Sequence, residues 1–345
     1  MTYFPKEAGT NLLHNGAMQV AQRGLSTAGI ITPGYHTADR WKSQVGFATW
    51  TNTVEADGPA GSGLTQSYKI LCTANAAPTA AQYGIIVQHI EGQNLQHLMK
   101  GTSSAQSLTA SFWVKSNKTG TWLVELFDNG NGRYVSASYT VVSSGVWEYK
   151  TVVFPPDTTG TIANTTSAGM QFSFWLAAGT NFSGGAGLGT TWAAADNKRA
   201  YGTQNLGDTI GNYLQVTGVQ LEVGSTASPF QFKPYDQELQ ECQRYFQKLT
   251  EPPLQGMVVG ATTVDRLSCV LPTRMRDNPV ATITGTLSVW DSLSVGTFTS
   301  LTSYSSTLNS VEVTATLATG SLGTYRAVMV YIGGGGGSIL LSADL

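Results

Sequence analysis

The sequence YLQVTGVQLEV at Tyr213–Val223 and the sequence DQELQECQRYFQKL at Asp236–Leu249 mark the clearest change of pattern in the chain. The first stretch has the composition of a β-strand. The second has the spacing of a helix of about four turns, with a suitable N-cap in Asp236. Its apolar residues recur at spacings of 3, 4 and 3 and predict one stripe on that helix: Leu239, Cys242, Phe246 and Leu249. The change predicts that a β domain ends near Val223 and that a helix leads onward.

Upstream of this passage the chain consists of short alternating segments without helices between them. This pattern is typical of antiparallel sheets packed as a sandwich, and a jelly roll fits the number of strands. The segment Asp128–Gly132, DNGNG, is a hairpin signal, and Gly179–Gly189 is predicted to be an irregular surface excursion. The predicted strands are Ser107–Lys115, Thr121–Phe127, Arg133–Val142, Trp147–Phe154 and Met170–Leu176.

Downstream of the helix, the sequence predicts a small second β-sandwich of seven strands. These are Met257–Thr263, Arg266–Leu271, Val280–Trp290, Ser294–Tyr304, Ser310–Leu317, Tyr325–Ile332 and Ser338–Leu345. The five glycines Gly333–Gly337 are interpreted as a mobile hairpin loop, or as a flexible tip that adapts to a ligand. The fold is thus predicted to be mainly β, with a lead-in or attachment segment at 1–24, a jelly-roll-like sandwich at 25–235, a linking helix at 236–251 and a C-terminal sandwich at 252–345.

Composition narrows the class of protein. Charged residues make up 12% of the 345 residues, and the formal net charge is −2, so the chain has nothing to attract a phosphate backbone. No apolar run approaches the 18 residues of a membrane span. Met1–Thr10 lacks the apolar core of a signal peptide, so we expect synthesis in the host cytoplasm without one. Cys72, Cys242 and Cys269 are widely spaced and are expected to be buried free thiols.

Catalytic motifs are missing from the sequence. It has no nucleophile elbow, phosphate-binding loop or metalloprotease pattern, and its four histidines form no metal-binding spacing. The 21 acidic residues are scattered and single out no pair of carboxylates for glycoside hydrolysis. A non-catalytic protein without a cofactor is therefore expected.

Four aromatic residues are candidates for sugar binding. Trp113 and Trp175 each lie on the mostly polar face of a predicted strand, and Trp122 and Tyr134 are near the same hairpin. Their rings could stack on the C–H faces of pyranose sugars. They could equally be covered by a neighbouring protomer, the lead-in segment or the helix. The receptor contact could lie on one Trp113/Trp175 face, on the glycine-rich loops or on the C-terminal domain.

A structural calcium ion is a further possibility. Asp39, Asp57 and Glu222 are the candidate ligands, because carboxylate oxygens near strand ends suit a hard cation.

Several phrases of the sequence resemble those of phage tail-fibre and related virion proteins. They are NLLHNGAMQVAQRG at Asn11–Gly24, ADRW at Ala38–Trp41, SFWVKS at Ser111–Ser116, the run from Val216 to Phe246 and the ending ILLSADL at Ile339–Leu345. The resemblance implies a carbohydrate-binding-module-like β-sandwich in a virion appendage. It also implies a trimer that contacts other tail proteins and host surface glycans, without nucleic acid or membrane insertion.

Many long fibres begin with a sizeable anchoring domain, whereas about ten residues precede the first matching phrase here. The resemblance therefore implies that the lead-in is the anchor, or that another virion protein carries this one. A purely structural virion role (a collar, head fibre or adaptor) and a glycan-degrading enzyme stay as alternatives. In a trimer, the helix stripe could form a three-fold seam; otherwise the helix lies on its own sandwich.

Overall fold

The computed structural model describes residues 10–250, 254–260, 262–331 and 337–345. The chain divides into an N-terminal unit, Met1–Glu238, and a C-terminal unit, Leu239–Leu345. The predicted mainly-β class is confirmed, with 44% of the described residues in strands and 7% in helices. Pro252, Pro253 and the glycine run up to Gly336 lie outside the described residues, so the interpretations placed on them stay predictions.

The N-terminal unit is a sandwich of two antiparallel sheets. Sheet A has the strand order β1-β4-β5-β13-β7-β10, and sheet B has the order β12-β9-β8-β11-β6-β3-β2. The strands are β1 (Ser26–Ile30), β2 (Gly34–Tyr35), β3 (Lys42–Val45), β4 (Thr49–Glu55), β5 (Ser67–Ala74), β6 (Tyr83–Glu91), β7 (Leu108–Ser116), β8 (Gly120–Asp128), β9 (Arg133–Val141), β10 (Glu148–Phe154), β11 (Ala168–Ala178), β12 (Ala193–Ala194) and β13 (Tyr213–Val223). Its helices are α1 (Thr180–Ser183) and the 3₁₀ turns Gly92–Leu98 and Leu206–Asp208.

One apolar core fills the space between the two sheets. Because side chains alternate across a strand, Phe112 of sheet A points inward and meets Phe174 and Tyr139 of sheet B, with ring centroids 4.9 and 5.0 Å apart. Trp41 and Trp50 are buried in the same core. The predicted jelly-roll-like sandwich is confirmed.

The first described residues belong to this sandwich. Asn11 donates from Nδ2 to the carbonyl of Val219 at 2.9 Å, and the amide of Leu12 donates to the carbonyl of Leu221 at 2.8 Å. Leu12 and Met18 are buried in the core. Residues 11–18 form bends and turns, in which Asn15 donates from Nδ2 to the carbonyl of Val20 at 2.8 Å.

A buried ion cluster joins three loops of the N-terminal unit. The ammonium of Lys100 lies 2.5 Å from Asp128 Oδ2, 2.7 Å from Asp157 Oδ2 and 3.0 Å from the carbonyl of Gly160. Arg133 adds two bonds to Asp157, at 2.9 and 3.0 Å. All three side chains at the centre are at most 5% exposed. The cluster therefore satisfies two buried carboxylates with two cations, as buried charges require.

The C-terminal unit is a smaller sandwich. Sheet C has the order β14-β23-β17 and sheet D the order β19-β18-β22-β15-β16-β21-β20, over one shared core. The strands are β14 (Phe246–Leu249), β15 (Gln255–Gly260), β16 (Thr263–Val270), β17 (Val280–Thr284), β18 (Leu287–Trp290), β19 (Val295–Phe298), β20 (Ser303–Ser306), β21 (Ser310–Thr316), β22 (Ala327–Tyr331) and β23 (Ser338–Ser342). The predicted small C-terminal β-sandwich is confirmed.

The helix predicted over Asp236–Leu249 is shorter than expected. Helix α2 spans Tyr235–Gln243 and ends in a turn in which the amide of Tyr245 bonds the carbonyl of Cys242 at 2.9 Å. Phe246–Leu249 is strand β14, in register with β23. The 3-4-3 spacing wrongly predicted helix for Phe246–Leu249. Pairing with a strand about 90 residues away overrides the weak local preference of these residues for a helix.

Two predicted strands of the C-terminal unit are each divided. Val280–Trp290 becomes β17 in sheet C and β18 in sheet D, because Gly285 adopts a left-handed φ of 70° and turns the chain between sheets. Ser294–Tyr304 likewise becomes β19 and β20, at opposite edges of sheet D.

The three cysteines are buried free thiols, as predicted. Over the described ranges, none of the helices has the length and apolar character needed to cross a membrane.

Candidate functional site

The two tryptophans proposed as one sugar-binding face lie on opposite sheets. Trp113 is in β7 of sheet A, and Trp175 is in β11 of sheet B. Their strand neighbours Phe112 and Phe174 both point into the core, so the two indoles point away from each other. The predicted shared face is therefore wrong, because alternation gives the side of a strand but not the sheet to which it belongs.

Trp175 is fully buried on the outer side of sheet B. A strap, defined here as residues 179–205, covers it and includes the predicted glycine-rich excursion. Phe182 of the strap contacts Trp175, with ring centroids 5.9 Å apart, and Tyr83 of β6 completes the cluster. This indole is covered, but by the chain's own loop and not by a neighbouring protomer, the lead-in segment or the helix that were expected.

An ion pair holds the strap on sheet B. Arg199 donates two bonds to the buried carboxylate of Glu125, at 2.7 and 2.8 Å. Its guanidinium lies 4.4 Å from the ring centre of Phe127 and 5.5 Å from that of Trp175, within cation–π range. Burial raises the pKa of Glu125, and the guanidinium beside it limits the rise.

Trp122 and Tyr134 are also fully buried. Trp122 belongs to the main core and donates from Nε1 to the carbonyl of Lys118 at 3.3 Å. The Tyr134 hydroxyl donates to Asp196 of the strap at 2.5 Å. Neither ring is open to an external ligand, so both predictions of sugar contact are wrong.

Trp113 remains accessible and forms an aromatic pair on the outer side of sheet A. It is half-buried and lies directly opposite Tyr149 of β10, with ring centroids 5.4 Å apart. Tyr149 is 46% exposed. On its other side Trp113 is in register with Thr217 of β13. The pair therefore presents apolar ring surface to solvent, while Thr217 is buried and its hydroxyl donates to the carbonyl of Gln66 at 2.6 Å.

A row of charged and amide side chains runs beside this pair. Lys69, Gln215 and Lys115 are cross-strand neighbours on β5, β13 and β7. Lys69 bonds Glu55 at 3.0 Å, and Gln215 donates from Nε2 to Glu55 at 3.1 Å and to Asp57 at 3.3 Å. Each polar group is thus held in place by a partner on a neighbouring strand or loop.

Asp57 is the hub of this row. It pairs with the Lys115 ammonium and accepts a bond at 3.3 Å from Nε1 of Trp147, whose ring lies 5.1 Å from the same ammonium. Partial burial acts to raise the pKa of Asp57, but the bonds from Lys115, Trp147 and Gln215 hold it below its ordinary value. The carboxylate therefore stays ionised at neutral pH. We call this set the polar-aromatic face: Glu55, Asp57, Lys69, Trp113, Lys115, Trp147, Tyr149, Gln215 and Thr217.

A glycine fixes the position of the Trp113 ring. Gly218 lies at a bulge of β13 with a left-handed φ of 60°. A Cβ at this position would lie 2.6 Å from Cδ1 of Leu64 and 3.3 Å from Cδ1 of Trp113. The missing side chain lets Leu64 and the indole approach the backbone closely.

Sequence reasoning found Trp113 but missed the rest of the face. Tyr149 lay in a predicted strand, Trp147–Phe154, whose outward positions also include apolar Val153, so alternation there was ambiguous. The partners Glu55, Asp57 and Gln215 come from parts of the chain up to 160 residues apart, and no local pattern joins them.

The predicted oligomer stripe does not exist as one surface. Leu239 and Cys242 are in α2, with Cys242 buried, whereas Phe246 and Leu249 are in β14. Phe246 is 4% exposed within the fold of the C-terminal unit. The stripe was wrong because the helix ends before Phe246.

The candidate calcium ligands are engaged by protein donors. Asp39 accepts bonds from Gln22 and Arg23, and Glu222 accepts two bonds from Ser228. Across the part of the chain that is described, no cluster of three or more His, Cys, Asp or Glu side chains is arranged to hold a metal. Calcium binding at these residues stays a prediction.

Comparison with known proteins gave structural likenesses only. No protein-family model matches the sequence, and no curated protein matches it. The enzymatically active domain of tailspike protein 4 of bacteriophage CBA120 is similar at 13% identity and a TM-score of 0.32, over 62% of this chain and 21% of that one. This chain therefore spans about a fifth of the length of that tailspike domain.

Two carbohydrate-binding modules are similar at the same level. The family 11 module of Clostridium thermocellum, solved with a β-1,3-1,4-mixed-linked tetrasaccharide, has 14% identity and a TM-score of 0.29, over 59% of this chain and 98% of that one. The tandem CBM22-1–CBM22-2 domain of Paenibacillus barcinonensis Xyn10C has 12% identity and a TM-score of 0.30, over 99% of this chain and 100% of that one. Likeness of this size assigns no function, which has to come from the residues of this chain.

Proposed function

We propose that this chain is a non-catalytic phage tail-fibre or receptor-binding protein that attaches to host surface glycan through the polar-aromatic face. The observation that carries the proposal is the solvent-facing pair Trp113 and Tyr149 beside a row of fixed polar groups. Aromatic rings supply apolar contact for the C–H faces of a sugar, and the polar groups can orient its hydroxyls.

The polar row suits hydroxyl recognition because it offers both donors and acceptors. Glu55 and Asp57 accept, and Lys69 and Lys115 donate, while the buried Gln215 holds the two carboxylates in place. The four formal charges cancel, so the face has no net attraction for a strongly anionic or cationic partner. Because cross-strand bonds already hold these groups, a ligand would order few side chains on binding.

The virion setting of the proposal is supported by the sequence phrases that resemble tail-fibre proteins. They include SFWVKS at Ser111–Ser116, which contains Trp113 and Lys115 of the face. The same proposal includes assembly of the chain into a homotrimer and contact of that homotrimer with other tail proteins. A single helical stripe is not its seam, since α2 ends at Gln243 and Phe246 and Leu249 lie in β14.

The test is binding of the full chain to an array of bacterial surface polysaccharides and to host cells. Trp113→Ala and Tyr149→Ala should each weaken binding about tenfold or more, as expected for central aromatic contacts. Tyr201→Ala is a matched control, because Tyr201 is 44% exposed on the strap, away from sheet A. Thermal unfolding of each variant checks that the fold is intact.

Three results would count against the proposal. Folded Trp113→Ala and Tyr149→Ala proteins that bind as tightly as the wild type would remove the face from consideration. Purified wild-type protein that neither binds glycan nor blocks infection would favour a purely structural virion component. Release of reducing sugar from the polysaccharide would instead identify an enzyme.

A further inference from the structure

A row of exposed side chains crosses four strands of sheet D in the C-terminal unit. Val295 of β19 is in register with Trp290 of β18, Trp290 with Met329 of β22, and Met329 with Gln255 of β15. Trp290 is 42% exposed, and Val295 and Met329 are each 48% exposed. With strands about 4.8 Å apart, the row is about 14 Å long.

Three residues of this row, Trp290, Met329 and Gln255, line a groove of about 360 Å³. Its other lining residues are Gly256, Ser292, Ala327 and Val328. None of the seven residues that line the groove carries a charge. It therefore offers one large aromatic ring, one flexible thioether, one amide and one hydroxyl, and no group that could neutralise an anionic or cationic ligand.

The turn beside Trp290 is held rigidly. Asp291 is 1% exposed and its Oδ1 accepts bonds from the amides of Leu293 and Ser294, at 3.0 and 2.7 Å. Its Oδ2 accepts a bond at 2.7 Å from the amide of Gly323. The positions of Trp290 and Ser292 are therefore set before any ligand arrives, which lowers the entropy that binding has to overcome.

We propose that this groove is a second saccharide site, which takes an uncharged oligosaccharide lying across the strands with a sugar ring against Trp290. The indole provides the apolar contact area, Gln255 provides hydrogen bonds at the β15 end of the row, and Ser292 provides a hydroxyl in the turn beside Trp290. A row of about 14 Å suits several linked sugars better than one. An acidic glycan finds no cation among the lining residues.

This site is independent of the polar-aromatic face, because it lies in the other unit and shares no residue with it. A chain with both sites would engage a glycan-coated surface at two points. If geometry allows simultaneous contact, such bivalent attachment holds more tightly than either site alone.

The experiment measures binding of the full chain to an array of neutral and acidic oligosaccharides. Wild type, Trp290→Ala, Trp290→Phe, Tyr304→Ala and Trp113→Ala are compared. Tyr304 is 44% exposed in the same unit but lies outside the groove, so Tyr304→Ala is a matched control. For at least one neutral oligosaccharide, Trp290→Ala should weaken binding about tenfold, while Trp290→Phe recovers most of it and Tyr304→Ala leaves it unchanged.

Each other outcome overturns the second site. Neutral glycan binding that is equal in folded wild-type and Trp290→Ala proteins excludes it. If Trp113→Ala abolishes all glycan binding and Trp290→Ala abolishes none, recognition belongs to the N-terminal unit. A Trp290→Ala protein that sediments as a smaller species than the wild type, with glycan binding retained, would identify the row as a contact between copies of the chain.

Discussion

Replacing Lys100 with methionine should lower the free energy of unfolding of the N-terminal unit by about 3–5 kcal/mol. The ammonium of Lys100 is the shared partner of Asp128 and Asp157, which are each 1% exposed. Methionine fills a similar volume but leaves two buried carboxylates with only Arg133 to compensate them. Urea unfolding followed by tryptophan fluorescence measures the loss, since seven of the eight tryptophans are in this unit.

Lys118→Met is the matched control. Lys118 also pairs with an aspartate, Asp208, but the side chains of that pair are 20% and 41% exposed. Solvent weakens such pairs, so a loss below about 1 kcal/mol is expected. Equal losses for the two variants would show that burial does not set the strength of the Lys100 cluster.

The effect of Lys100→Met should depend on pH. Burial acts to raise the pKa of Asp157, but bonds from Arg133 and Lys100 outweigh it and hold the pKa below its ordinary value. Such a carboxyl group stabilises the fold fully above its ordinary pKa of about 3.9 and loses that contribution as pH falls through its folded pKa. The difference between wild type and variant should therefore narrow below about pH 4.

Replacing Arg199 with methionine should destabilise the N-terminal unit by a similar amount, about 3–5 kcal/mol. The change leaves the carboxylate of Glu125, which is 0% exposed, without its bidentate partner. It also removes the cation that lies over Phe127 and Trp175. The strap should then open more often, and limited proteolysis should cut within residues 184–191 at lower protease concentration.

The double variant Glu125→Met, Arg199→Met separates charge burial from packing. Removing both charges leaves no uncompensated carboxylate, so part of the lost stability should return. A double variant that is less stable than Arg199→Met would instead mean that the Glu125 side chain stabilises the strap through contacts other than the ion pair.

Local pattern predicted much of the N-terminal sandwich. Strand β13 was predicted with its observed bounds, Tyr213–Val223, and the hairpin of β8 and β9 followed from the DNGNG turn. In both cases alternation and turn chemistry act within about 20 residues, where sequence is most informative.

The candidate site was less predictable because it depends on pairing between distant strands. Trp113 and Trp175 give the same local signal, yet one faces solvent and the other lies under the strap. What separates them is Arg199 bonding Glu125, a contact 74 residues apart. Strand β14 was predicted as helix for the same reason, since only its pairing with β23 distinguishes Phe246–Leu249 from a helix turn.

The position of β23 has a consequence for the order of events during synthesis. It is the middle strand of sheet C, and β14 and β17 each pair with it and not with each other. While a ribosome is still making residues before Ser338, those two strands have no partner in their sheet. Sheet C therefore assembles late. Until then the apolar side chains of Phe246 and Ala281 lie in unpaired strands, which are prone to aggregation.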